Sequence, residues 1–123
     1  MSALILVVDD DPLVRSSLQD FLSDAGYSVA TASDGIEATQ RFKESPPDLV
    51  VTDIIMPEKD GIETIIDLKR RSPSLRIVAI SGGGRSRSTD FLTMAEKLGA
   101  DATLAKPFDQ GELIALVKRL LET

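Results

Sequence analysis

Five short apolar runs recur along the chain, and the segments between them carry apolar residues at helical spacing. Three runs, residues 4–8, 49–52 and 77–80, are rich in Val, Ile and Leu. Such runs are typical of parallel strands that are covered on both faces. Residues 29–32 and 102–105 are more mixed, so we expect them at the edges of the sheet. The alternation of strand and helix predicts a doubly wound α/β fold with a parallel sheet in the order 2-1-3-4-5.

Capping residues and helical periodicity mark the helices. Asp11 and Pro12 suit the start of the first helix, and Asp109 with Glu112 predicts a capping box at the start of the last. The apolar faces expected for the intervening helices are Ile36, Thr39 and Phe42 in the second, Ile62, Ile65 and Ile66 in the third, and Phe91, Met94, Ala95 and Leu98 in the fourth. The predicted architecture is therefore a flavodoxin-like (βα)5 three-layer sandwich.

Polar residues follow four of the apolar runs. Asp9 and Asp10 follow the first run, Asp53 the third, Ser81 the fourth and Lys106 the fifth. The carboxyl ends of parallel strands lie at one edge of a sheet, where open α/β sheets bind ligands. We therefore expect carboxylates, a hydroxyl and an ammonium to meet there, a combination that suits metal-assisted phosphoryl chemistry.

Length and composition narrow the choice of function. The chain has 123 residues, which predicts one domain over residues 1–123. It contains no Cys and no His and has a formal net charge of −6. The negative charge argues against a nucleic-acid surface, and the lack of His removes imidazole catalysis and most zinc chemistry. No run is long enough for a membrane span, so we expect a cytoplasmic protein.

The acidic residues indicate a hard cation. Repulsion among Asp9, Asp10 and Asp53 would raise a carboxyl pKa or recruit a cation, and oxygen ligands without His or Cys favour Mg²⁺. Asp53 is the natural nucleophile, since a carboxylate oxygen can attack phosphorus and form an acyl phosphate. Lys106 and Ser81 would then stabilise the phosphoryl oxygens.

Each of these residues also has an ordinary interpretation when it is taken alone. Aspartates often cap helices or form turns, a serine before three glycines often opens a loop, and a single lysine is usually a surface cation. The phosphoryl hypothesis depends on the convergence of four strand ends that carry compatible chemistry.

These residues, with Asp53-Ile54-Ile55-Met56-Pro57 and Lys106-Pro107-Phe108, resemble the receiver domain of two-component response regulators, notably the single-domain chemotaxis type. The resemblance implies that Asp53 accepts a phosphoryl group from a phosphohistidine on a sensor histidine kinase or phosphotransfer protein. It implies Mg²⁺ held by Asp9, Asp10, Asp53 and the backbone carbonyl of Ile55. It also implies a signalling domain, not a turnover enzyme, that promotes its own phosphorylation and dephosphorylation, and a cis bond before Pro107.

Two departures from the family pattern bear on the switch. Many receivers carry an aromatic residue three positions before the lysine, whereas this chain has Thr103. The loop after Ser81, which begins with three glycines, is longer than in compact receivers. The downstream effector, and whether the chain is a monomer or a phosphorylation-dependent dimer, stay open.

Three other functions are compatible with the same pattern. An aspartate-nucleophile phosphatase would share the metal and the acyl phosphate, but it usually has a second Asp where this chain has Ile55. A degenerate receiver would act only as a constitutive interaction domain. The intact acidic residues argue against this alternative. A flavin-binding protein would need a phosphate cradle where the turn after the first strand is acidic.

Overall fold

Five parallel strands form one sheet in the computed structural model, which describes residues 3–54, 61–81, 93–106 and 108–122. The strands are β1 Leu4–Val8, β2 Ser28–Ala32, β3 Leu49–Asp53, β4 Arg76–Ser81 and β5 Ala102–Ala105. The helices are α1 Pro12–Asp24, α2 Gly35–Glu44, α3 Gly61–Arg71, α4, described over residues 93–98, and α5 Gln110–Leu121.

The strand order is β2-β1-β3-β4-β5, which confirms the predicted order and both edge strands. β3 is buried along its whole length, whereas β2 is half-buried over most of its residues and exposed at Ser28. In the register, Val8 pairs with Thr52, Asp53 with Ile80 and Ser81 with Ala105. The carboxyl ends of β1, β3, β4 and β5 therefore lie side by side, and the residues that follow these strands are close to one another.

Two apolar layers cover the sheet because successive strand residues point to opposite faces. On one face, Leu6 and Val8 pack in a cluster with residues of α2, α3 and α4, among them Ala38, Ile65 and Ala95. On the other face, Ile5 and Val7 pack in a cluster with α1 and α5, which contribute Leu18, Leu22, Leu113 and Val117. This arrangement is the predicted three-layer sandwich.

Helix ends follow the predicted capping residues. Asp11 caps α1 by accepting a hydrogen bond from the Leu13 amide at 2.9 Å, and Pro12 occupies the first turn. The capping box of Asp109 and Glu112 is present at α5. Within the described residues, no helix is both long enough and apolar enough to cross a membrane.

The predicted buried faces of α2 and α4 are partly wrong. Ile36 is 50% exposed, Met94 47% and Leu98 37%. The buried apolar side chains in the described part of these helices are instead Ala38 and Ala95, which pack in the same cluster as the sheet residues Leu6 and Val8. Phe91, which we expected on the same face of the fourth helix, lies outside the described residues.

The buried face of α3 is broader than the periodicity predicted. Thr64 and Leu68 are fully buried together with Ile65, whereas Ile62 and Ile66 are only half-buried. The apolar positions of a short helix cover more than one face, and the packing of the neighbouring strands decides which of them is buried.

Candidate phosphoacceptor site

Asp53 is the last residue of β3 and lies at the carboxyl edge of the sheet. Its side chain is held in place because its Oδ1 accepts a hydrogen bond from the Ile54 amide at 2.9 Å. The same amide donates to the Ile80 carbonyl at 2.9 Å, which ties the end of β3 to β4. Asp53 is only 8% exposed, so its carboxyl group is largely withdrawn from water.

Gly61, the first residue of α3, packs directly against the end of β3. Its amide donates to the Ile54 carbonyl at 2.8 Å. A Cβ atom at this position would lie 2.3 Å from the Asp53 carbonyl oxygen and 2.5 Å from the Ile54 Cα atom. Because real Cβ atoms do not approach so closely, only glycine fits here without displacing the backbone that carries Asp53.

Asp9 and Asp10 reach the same edge from the end of β1. Asp9 is buried, and its Oδ1 accepts a hydrogen bond from the Asp11 amide at 2.9 Å. Asp10 is exposed. One carboxylate oxygen from each of Asp9, Asp10 and Asp53 can be chosen so that all three lie within 4.8 Å of one another. The prediction that these three side chains converge is confirmed by this geometry.

Lys106 and Ser81 lie at the same edge of the sheet, Ser81 as the last residue of β4 and Lys106 directly after β5. The Lys106 Nζ lies 3.6 Å from Oδ2 of Asp9, an ion pair that is longer than a hydrogen bond. The Lys106 amide donates to the Ser81 carbonyl at 2.8 Å, which fixes the two residues side by side. Ser81 is fully buried, and its Oγ has no hydrogen-bond partner within the ranges that the structure describes.

The donor set fits a divalent cation with oxygen ligands. Asp9, Asp10 and Asp53 offer carboxylate oxygens only, which is the chemistry that Mg²⁺ prefers. The Oδ2 atom of Asp9 is buried and accepts no hydrogen bond from any described residue. A buried carboxylate oxygen without a donor is costly, and a bound cation would satisfy it.

Burial shifts the acidity of both buried carboxyl groups. It raises the pKa of Asp53 to about 6, to which the Asp9 carboxylate adds while the Lys106 ammonium opposes the rise. Burial also raises the pKa of Asp9, against the opposing effects of the Asp11 amide and Lys106. At neutral pH most Asp53 side chains are therefore ionised, as a nucleophilic carboxylate must be.

An apolar groove adjoins the site. It has a volume of about 380 Å³ and lies between α1 and the start of α5. Its lining residues are Leu13, Val14, Ser17, Leu18, Phe21, Lys106 and Phe108. Leu13 is 79% exposed, unusually so for a leucine. Because Lys106 belongs both to the groove and to the charged site, whatever occupies the groove is brought close to the acidic residues.

Some predicted features lie outside the described residues. The Ile55 carbonyl, the bond between Lys106 and Pro107, and the glycines after Ser81 are among them. Thr103 is half-buried on β5 and lines a second groove with Leu104 and α5.

Arg15 also contacts the site, although the sequence pattern did not predict it. Its Nη1 donates to the Asp9 carbonyl at 2.7 Å. The available signal was its position four residues after the cap Asp11, which places it one helical turn from the acidic residues.

Together these features define a flavodoxin-like α/β domain whose carboxyl edge carries a carboxylate pocket beside a lysine. Residues 5–118 match the response regulator receiver domain family, and the chain belongs to that family. It is therefore a signalling domain of two-component systems, in which receivers have the phosphoacceptor role.

Comparison with known proteins shows the same relationship along nearly the whole chain. Over 121 residues the chain is 34% identical to the chemotaxis protein CheY of Thermotoga maritima, covering 98% of both chains. It is 40% identical to the response regulator MprA of Mycobacterium tuberculosis, of which it spans only 51%. The crystal structure of the receiver domain of NtrX from Brucella abortus superposes with a TM-score of 0.91 at 35% identity, covering 97% of this chain and 98% of that one.

Proposed function

We propose that Asp53 accepts a phosphoryl group from a phosphohistidine of a sensor histidine kinase or phosphotransfer protein, in a Mg²⁺-dependent reaction, and that this modification changes the affinity for a partner protein. Residues 1–123 act as one receiver domain. The observation that carries the proposal is the convergence of the buried Asp53 with two further carboxylates, beside Lys106.

The transfer needs a nucleophile and stabilisation of charge. An oxygen of the ionised Asp53 attacks phosphorus, a P–O bond forms, and the P–N bond to the donor imidazole breaks with its electron pair moving to the nitrogen. No general base is required, because most Asp53 side chains are ionised at neutral pH. The domain thus promotes its own phosphorylation, and attack by water on the acyl phosphate reverses it; it is not a turnover enzyme.

Two side chains, those of Lys106 and Ser81, would contact the phosphoryl oxygens. Lys106 supplies an ammonium at the rim of the acidic pocket. Ser81 supplies a buried hydroxyl whose oxygen has no partner within the described part of the chain. Preorganised donors of this kind stabilise charge that develops on a transferring phosphoryl group.

Asp9, Asp10 and Asp53 would hold Mg²⁺, together with the Ile55 carbonyl that the family resemblance implies. When bound, the ion neutralises the clustered negative charge and stabilises the phosphoryl oxygens. The same three carboxylates repel an incoming phosphate in the metal-free chain, so we expect phosphorylation to depend on the cation.

The apolar groove beside Lys106 gives the donor protein a surface to bind. Leu13 is exposed at the start of α1, and the groove runs from there to Lys106. A donor helix whose apolar face lies in this groove would place its phosphohistidine close to Asp53. Helix-in-groove docking of this type is a common mode of recognition.

The surface formed by α4, β5 and α5 would carry the response to a downstream effector. Movement of the Ser81 hydroxyl toward the phosphoryl group would start this response. The response would proceed without the aromatic side chain that many receivers carry three positions before the lysine, because this chain has Thr103 there. The protein would work in the cytoplasm, as a monomer or as a dimer that forms on phosphorylation, without binding nucleic acid or membrane directly.

Incubation with Mg²⁺ and acetyl phosphate tests this function without a kinase. We expect one phosphate per chain by intact mass, no phosphate when Mg²⁺ is removed by a chelator, and none in Asp53→Asn. Asp20→Asn, at an exposed position of α1, is the matched control and should be modified normally. Failure of the unaltered chain to be modified would overturn the proposal.

A further inference from the structure

Arg15 makes a short, charge-assisted hydrogen bond to the backbone of the acidic pocket. Its Nη1 donates to the Asp9 carbonyl oxygen at 2.7 Å. Arg15 is half-buried in the first turns of α1, where its own amide donates to the Asp11 carbonyl at 2.9 Å. The guanidinium thus reaches back from the helix to the peptide that joins Asp9 to Asp10.

The hydrogen bond from Arg15 is one of three that hold Asp9 in place. The Asp9 amide donates to the Ala32 carbonyl at 3.1 Å, and Oδ1 accepts from the Asp11 amide at 2.9 Å. The remaining carboxylate oxygen, Oδ2, faces Lys106 at 3.6 Å. With the carbonyl bound to Arg15, both ends of the residue are fixed, and Oδ2 is left directed into the pocket.

We propose that Arg15 is a positioning residue of the acidic pocket, which holds the Asp9–Asp10 peptide so that both carboxylates converge on Asp53. A peptide unit is planar, so fixing the Asp9 carbonyl also fixes the Asp10 amide and the Asp10 Cα atom, which carries the side chain. This inference rests on the proposed function, because it concerns the Mg²⁺ affinity that the function requires.

The direction of the change in Mg²⁺ affinity shows whether Arg15 acts by positioning the ligands or only through its charge. A positive group near three carboxylates repels an incoming cation, so loss of its charge alone would tighten Mg²⁺ binding. Loss of the hydrogen bond frees the ligand backbone and weakens binding. Groups that orient metal ligands typically contribute tenfold to a hundredfold to metal affinity, and we expect roughly tenfold because Arg15 is partly exposed.

Magnesium titration followed by amide NMR spectra of the full chain tests the inference. Arg15→Met keeps an apolar stem and removes the donor, whereas Arg15→Lys keeps a charged donor. Arg119→Met, at an exposed position of α5, is the matched control for net charge. If urea titrations show that Arg15→Met does not fold, Arg15→Leu, which also lacks a donor, takes its place.

We expect roughly tenfold weaker Mg²⁺ binding in Arg15→Met, substantial recovery in Arg15→Lys, and no weakening in Arg119→Met. In the metal-free chain, the Asp10 amide signal should shift in Arg15→Met and return toward its original position in Arg15→Lys. Unchanged or tighter binding in Arg15→Met, or equal weakening in Arg15→Lys, would overturn the role of Arg15. Absence of Mg²⁺ binding in the unaltered chain would instead overturn the proposed function itself.

Discussion

The Lys106 ammonium lies 3.6 Å from Oδ2 of Asp9, a buried oxygen that accepts no hydrogen bond from any described residue. The ion pair partly offsets the repulsion between Asp9 and its acidic neighbours. It also holds the Lys106 ammonium at the rim of the pocket, close to the position that a phosphoryl group on Asp53 would occupy.

We predict that Lys106→Met slows phosphorylation by acetyl phosphate about a hundredfold, the usual cost of removing one preorganised donor. Binding of Mg²⁺ should become tighter in the same variant, because a repelling cation has been removed. Time courses by intact mass measure the first effect and NMR titration the second. Lys118→Met, exposed on α5, should change neither. An unaltered rate in Lys106→Met would show that Lys106 does not contact the phosphoryl group.

The raised pKa of Asp53 predicts a pH-dependent cost to folding. Burial raises it from 3.8 to about 6, so the folded state holds this proton more tightly than the unfolded state. The resulting stabilisation is fully present below pH 3.8 and is lost as the pH rises through about 6. A shift of this size corresponds to on the order of 3 kcal/mol.

Asp53→Asn should therefore be more stable than the unaltered chain at pH 7.5 without Mg²⁺, and the difference should shrink between pH 6 and pH 4. Urea unfolding across this range measures the difference. Added Mg²⁺ should also narrow it, because the ion stabilises the ionised carboxylates of the unaltered chain. A difference that does not depend on pH would contradict the assignment of the cost to Asp53 ionisation.

Gly61→Ala tests the close approach between α3 and the end of β3. The new Cβ atom would lie 2.3 Å from the Asp53 carbonyl oxygen, so the backbone must shift. We predict a loss of about 3 kcal/mol or more in urea unfolding, since overpacking usually costs 1–3 kcal/mol even among side chains. The shift should also displace the Asp53 side chain, and we therefore expect slower phosphorylation.

Gly111→Ala is the control for that change. Gly111 lies within α5, and the nearest atom to an added Cβ is a side-chain oxygen of Asp109 at 3.2 Å. We expect a change within about 1 kcal/mol, because alanine favours the helix and the cap can adjust. Equal loss of stability in both variants would show that the clash between a Cβ atom at position 61 and the Asp53 carbonyl does not destabilise the fold.

Leu13→Gln tests the groove as the docking surface of the donor. Leu13 is 79% exposed, so the substitution leaves the core unchanged. We predict that transfer from a phosphorylated kinase or phosphotransfer protein slows by about tenfold, or about 1.4 kcal/mol, because one apolar contact with the donor is lost. Phosphorylation by acetyl phosphate should not change, because that donor needs no groove.

Ile36→Gln provides the matched control, since Ile36 is 50% exposed at the start of α2, outside the groove. Its transfer rate should equal that of the unaltered chain. The docking assignment would be wrong if Leu13→Gln reduced the rates with both donors equally, or if the Ile36 variant lost as much transfer.

The strand order and the meeting of Asp9, Asp53 and Lys106 could be predicted because parallel strands place their carboxyl ends at one edge. The exposure of Ile36 could not, because helical periodicity marks several faces and only packing selects one. Arg15 escaped prediction for a different reason. The sequence shows its position four residues after Asp11, but this spacing alone does not show that the guanidinium turns back to the Asp9 carbonyl.

Chemical identification of the modified residue shows whether Asp53 is the phosphoacceptor. After treatment with acetyl phosphate and Mg²⁺, borohydride reduction converts an aspartyl phosphate to homoserine, which peptide mass spectrometry can locate. We expect homoserine at position 53 alone. Homoserine at another aspartate, or none in a chain that binds Mg²⁺ normally, would contradict the assignment of Asp53 as the phosphoacceptor.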